Sequence, residues 1–127
     1  QAVDAVQYER LRWAKHEGPI LARLVALAHA AIEDRGEFEL AEEGASSDRK
    51  RFVLKVHGTR VAALTFWVAA GLAYASIETV IRSKYAVSDD SALSVEYAAV
   101  DELWMAGTLH ELFSRIAEAE PSAAQNG

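Results

Sequence analysis

The chain has 127 residues, 51% hydrophobic and 25% charged, the balance of a globular protein with one core and not of a disordered segment. Its formal net charge of -6 disfavours a general affinity for nucleic acid or anionic membrane, and the absence of cysteine excludes disulfides, thiolate metal sites and cysteine nucleophiles. The absence of cysteine predicts a cytoplasmic protein. The chain opens at Gln1 and not at Met, as a trimmed or processed start does, and no basic segment leading into an apolar run marks a signal peptide.

Residues 3–16 and 20–34 read as helix. In the second, Ile20, Leu21, Leu24, Val25, Leu27, Ala28, Ala31 and Ile32 recur at three- and four-residue steps and form a wide apolar stripe. Gly18-Pro19 lies between them, and proline is tolerated in a first helical turn because its missing N–H has no partner there. Either one helix kinks at Pro19 or a second one starts there. Gly36 follows Arg35 as a C-cap glycine.

Strands are expected near 37–42, 51–57, 60–70, 72–83 and 92–99. Phe38 and Leu40 alternate with glutamates in the first, and Phe52, Leu54 and Val56 alternate with Val53 and Lys55 in the second. Residues 57–60 (HGTR) read as a tight hairpin turn. Residues 60–70 are apolar at nearly every position, so periodicity alone does not separate strand from helix. The β-branched and aromatic residues Thr65, Phe66, Trp67, Thr79, Val80 and Ile81, with alternation over 72–83, favour two strands despite the many alanines.

Residues 61–77 carry no charge and run for about seventeen positions, the lower limit for a spanning helix. Gly71 in the middle, Glu78 and Arg82 just beyond and the high alanine content argue against a span, so no membrane association is expected. Ser88-Asp89-Asp90-Ser91 is a loop, and Asp101 can cap a C-terminal helix with a stripe of Leu103, Ala106, Leu109, Leu112, Phe113 and Ile116. Pro121 ends that helix, leaving 121–127 as a frayed tail behind a single domain at 1–120. The fold class is therefore α+β: an antiparallel sheet of about four to five strands packed by a kinked N-terminal helical segment and a C-terminal helix.

If the hairpin turn around Gly58-Thr59 has an even number of residues, Val56 faces Val61, Leu54 faces Ala63 and Phe52 faces Thr65. A second tight turn at Ala70-Gly71 sets Trp67 against Tyr74, Thr65 against Ser76 and Ala63 against Glu78. One face then holds Val53, Leu64, Phe66, Val68, Ala73, Ala75, Ile77 and Ile81, a continuous core face for the helices to cover. The other holds Phe52, Leu54, Val56, Val61, Thr65, Trp67, Tyr74, Ser76, Glu78, Val80 and Arg82, too apolar for a solvent face. A one-residue bulge swaps the membership of the two faces.

That second face carries the functional expectations. Phe52, Leu54, Thr65, Trp67, Tyr74, Ser76 and Arg82 are the candidate ligand-binding residues, for a mainly apolar small molecule. Glu78, set between Ile77 and Val80, is the candidate catalytic acid–base; the plainer alternative is an ion-pair partner for Arg82 or Lys84. The same face buried against a second copy, as a homodimer or a protein-docking module, is the alternative function.

Nucleic-acid binding through the basic hairpin of Arg49, Lys50, Arg51, Lys55 and Arg60 is a distant third, because the glutamates at 37, 39, 42 and 43 offer internal partners. His57 reads as a turn residue. His110-Glu111 begins like a zinc-protease motif, but Ser114 stands where the second histidine belongs; with the other histidines scattered, no metal is expected. No glycine-rich phosphate loop or nucleophile elbow is present, so no cofactor is implied.

Overall fold

The computed structural model describes residues 2–33, 36–45 and 48–119. The expected tail at 121–127, with Pro121, lies outside the described residues. The fold is α+β, with the elements α1 (Ala2–Arg12), α2 (Gly18–Glu33), β1 (Phe38–Ala45), β2 (Arg49–Val56), β3 (Thr59–Ala69), β4 (Leu72–Thr79), β5 (Tyr85–Val87), β6 (Leu93–Glu96), α3 (Glu102–Phe113) and β7 (Ile116–Glu118).

The N-terminal helical run does not break at Pro19. A π-wound turn, Trp13–Glu17, joins α1 to α2 directly ahead of the proline. Proline removes one backbone donor and clashes with the carbonyl four residues back, and the wider π winding is one way for a helix to pass such a position. Beyond it, Leu21, Leu24, Ala28 and Ile32 are buried in one stripe against the sheet. The Arg23 Nε donates to the Val100 carbonyl at 3.0 Å and ties α2 to the approach to α3.

The main sheet is five-stranded and antiparallel in the order β1-β2-β3-β4-β6; β5 leaves it to pair with β7 in a separate two-stranded ribbon. That ribbon had no clear signal in the sequence, where Ile116 reads as a helical stripe residue but in fact pairs with Val87. Two tight turns make the central meander. His57 and Gly58 (φ 52° and 78°) join β2 to β3, and Ala70 and Gly71 (φ 52° and 84°) join β3 to β4. Both have the left-handed geometry that matches strand twist, for which glycine carries no Cβ penalty.

The β3–β4 register is as the sequence predicts, with Trp67 opposite Tyr74, Thr65 opposite Ser76 and Ala63 opposite Glu78. The β2–β3 register is not. A bulge at Val61 leaves Val56 opposite Thr59 but sets Leu54 opposite Ala62, Val53 opposite Ala63 and Phe52 opposite Leu64. One extra residue reverses the parity of β2. Phe52, Leu54 and Val61 therefore belong to the core under the helices, while Val53, Arg51 and Arg49 take the other face.

The core face holds Leu54, Phe52, Ala62, Leu64, Phe66, Ala73, Ala75 and Ile77, closed by α2 and by Met105, Leu109 and Leu112 of α3. The side chain of Asp101 caps α3 by accepting from the Trp104 N–H at 2.8 Å, as expected. Three residues placed in the core by the pattern are exposed: Ile81 (84%), because β4 ends at Thr79, and Leu103 (83%) and Ala106, because the buried stripe of α3 runs 105, 108, 109 and 112. Arg82, with φ 69°, lies in the turn after β4 and not on the sheet.

Candidate functional site

Among the described residues no helix covers the outer face of the sheet, yet its centre is closed. Val53 and Ala63 are each 0% exposed and pack with Val80 as a small separate cluster. Their cover comes from long side chains on flanking strands. The Arg51 Nε on β2 donates to the Glu78 Oε1 on β4 at 3.1 Å, so the pair arches over β3. Arg60 on β3 reaches Glu43 on β1 with two guanidinium nitrogens, at 2.5 and 3.3 Å, across β2. Alongside, the Arg49 guanidinium lies 4.5 Å from the Trp67 ring centroid, and Trp67 stacks on Tyr74 with centroids 5.1 Å apart and planes within 5°.

These contacts locate the residues singled out in the sequence. Trp67, Tyr74, Thr65, Ser76 and Glu78 share the outer face, whereas Phe52 and Leu54 lie on the opposite one and Arg82 stands beyond the strand end. Glu78 is half exposed and paired with Arg51, not with Arg82 or Lys84, and the wall around it is charged, not apolar. The basic hairpin is also internally paired: Lys50 binds Glu42 at 3.1 Å, and Arg49, Arg51 and Arg60 are engaged as described. The outer face thus has less apolar area to offer a ligand or a second copy than the straight register implied.

The Arg60 hydrogen bond, helped by the charges of Arg60, Arg51 and Lys55, holds the Glu43 carboxyl below its ordinary range. A depressed carboxylate contributes stability that is full above its ordinary pKa and is lost as pH falls through the folded value. The wild-type urea midpoint is therefore expected to drop below the ordinary glutamate range, and the drop to shrink in Glu43→Gln. Equal drops in the two proteins count against the Arg60–Glu43 strap.

Glu78 itself borders a concave site of about 460 Å3, shared with Thr79, Val87, Ser88, Asp89 and Asp90. A cavity with apolar walls lies elsewhere. A cavity of about 580 Å3 opens between the last turns of α2 and α3 at the start of β1, lined by Ala31, Ile32, Phe38, Ala106, Leu109, His110, Phe113 and Ser114. Its origin is steric. Small Ala31 and Ala106 stand where larger side chains would fill the space between the helices, while Ile32, Leu109 and Phe113 supply apolar walls. His110 and Ser114, four residues apart on one face of the helix end, are its polar groups. The spacing that fails as a zinc motif thus sets both side chains at one cavity.

The imidazole of His110 makes no hydrogen bond or ion pair to another described residue, and the Ser114 hydroxyl donates to the Glu111 carbonyl at 2.6 Å. Among the described residues no group of three or more potential metal ligands occurs, and no helix is long and apolar enough to cross a membrane. The cavity residues were legible only as stripe members of two helices. That Ala31 and Ala106 face one gap requires knowing how α2 and α3 pack.

Comparison with protein-family models, with curated proteins and with solved structures returns no match.

Proposed function

We propose that this domain binds a small, mainly apolar molecule, and that the ligand enters the cleft between α2 and α3 and not the outer face of the sheet. The observation that carries the proposal is the cleft itself: about 580 Å3, apolar on most of its wall, with His110 and Ser114 as its polar groups. Ligand pockets commonly measure roughly 300–1,000 Å3 and pair apolar walls with a few placed polar groups. The outer face supports this choice by contrast, because its Arg–Trp–Tyr stack and its two ion-pair straps already occupy their own partners.

The test uses N-phenyl-1-naphthylamine, a neutral apolar fluorophore, and a variant that fills the cleft. Ala106 is exposed on α3, so Ala106→Trp can project a large ring into the gap with little effect on the core. Wild type is expected to give saturable one-to-one enhancement, and Ala106→Trp to weaken it by about tenfold or more, a loss of roughly 1.4 kcal/mol. Trp67→Ala is expected to bind like wild type. Absence of saturable binding, or equal binding by Ala106→Trp, overturns the proposal.

A further inference from the structure

We infer that the cleft selects ligands whose polar end donates hydrogen bonds, an alcohol or an amine, and rejects those ending in a carboxylate or phosphate. This rests on the cleft being the ligand site, and it follows from the electrostatics of the wall.

Two helix C-termini converge on the cavity. Ala31 and Ile32 belong to the last turn of α2, which ends at Glu33, while His110 and Phe113 belong to the last turn of α3 and Ser114 is its C-cap. The carbonyl end of a helix carries roughly half a negative charge, so both ends contribute potential of the same sign at the same place. No lysine or arginine is among the described lining residues, and Arg115, the nearest in sequence to the cleft's polar end, is occupied by Glu111 and by the Asp89 and Ser91 carbonyls. The chain as a whole is acidic, with a net charge of -6. An anionic head in this cleft would shed water without meeting a fixed cation among the described lining residues, and an unpaired charge against apolar walls is costly.

The placed polar groups point the same way. The Ser114 hydroxyl proton is committed to the Glu111 carbonyl, which leaves the oxygen as an acceptor. Neutral His110 offers one accepting nitrogen and one N–H donor, so an alcohol, which both donates and accepts, can meet it. A head that brings its own proton satisfies both, and it also suits the two helix ends. The structure thus assigns Ser114 as the residue that reads the head and Ile32, Leu109 and Phe113 as the residues that hold the apolar body.

The experiment is displacement of bound N-phenyl-1-naphthylamine at neutral pH by three molecules with one carbon skeleton: octan-1-ol, octylamine and octanoate. Octanol and octylamine are each expected to displace the probe at concentrations about tenfold lower than octanoate, a preference of roughly 1.4 kcal/mol. Ser114→Ala is expected to narrow the lead of octanol while leaving octanoate unchanged. Octanoate binding as well as the other two overturns the inference, as does a lead that Ser114→Ala leaves intact. Failure of all three to displace a probe that does bind in the cleft also overturns it, and leaves the cleft as the ligand site. Failure of the probe itself to bind removes both.

Discussion

Phe52→Ala is expected to destabilise the fold by about 3–5 kcal/mol, the range for deleting a large aromatic side chain from a packed core. Phe52 is 3% exposed, meets the His29 ring edge-on with centroids 5.2 Å apart and lies 6.2 Å from Phe66. Its truncation leaves a void between α2 and the sheet that neither neighbour can close without leaving its own contacts. The size of the loss reports the register. Without the bulge at Val61, Phe52 would stand beside Thr65 on the face away from the helices, and its removal would cost about 1 kcal/mol, as for an ordinary partly exposed position. Urea unfolding with an unchanged denaturant slope is the measurement, and a loss near the lower figure contradicts the bulged register.

Val53→Lys is expected to cost a similar amount, roughly 3–5 kcal/mol, as an unpaired charge placed in a closed site does. Val53 is fully buried on the outer face although no helix of the described residues lies above it. The new ammonium would share that face with Arg51 and Lys55, two residues away on either side, and would have to displace the Arg51–Glu78 arch to reach water. On an open sheet face the same substitution is worth about 0.5 kcal/mol or less. A small effect would therefore mean that the arches do not close the face in solution. Together the two variants make an unusual pair, since consecutive strand residues are both expected to be intolerant.

The fold class was legible because its signals are local. The stripe Leu21, Leu24, Ala28 and Ile32 fixes α2, Asp101 marks the start of α3, and Gly58 and Gly71 mark the two turns of the meander. With the second turn in place, the pairing of Trp67 with Tyr74 follows, and the two rings do stack. The alternation in β2 was equally visible, but alternation gives two faces without saying which is inside. That depended on the single extra residue at Val61, which nothing in an all-apolar run distinguishes from its neighbours. The β5–β7 ribbon was lost for a related reason: three-residue strands are too short to show a period, and Ile116 happens to continue the helical spacing of α3.

The candidate site was less legible than the fold. Trp67, Tyr74, Thr65, Ser76 and Glu78 do share a face, but exchanging Phe52 and Leu54 for Arg49, Arg51 and Val53 turned an apolar wall into a charged and self-paired one. The cleft between α2 and α3 depends on two alanines 75 positions apart (31 and 106) facing one gap, which no local pattern encodes. In the sequence His110 and Ser114 stand together only as an incomplete metal motif, although their four-residue spacing is what sets both at the same cavity.

The most direct measurement is a map of backbone amide chemical shifts as octan-1-ol is titrated into the protein. The largest changes are predicted at residues 31–32, at Phe38 and across 106–114, around the cleft, with Trp67, Tyr74 and Ser76 unmoved. Changes centred on Trp67, Tyr74 and Ser76, with the cleft silent, would contradict the account.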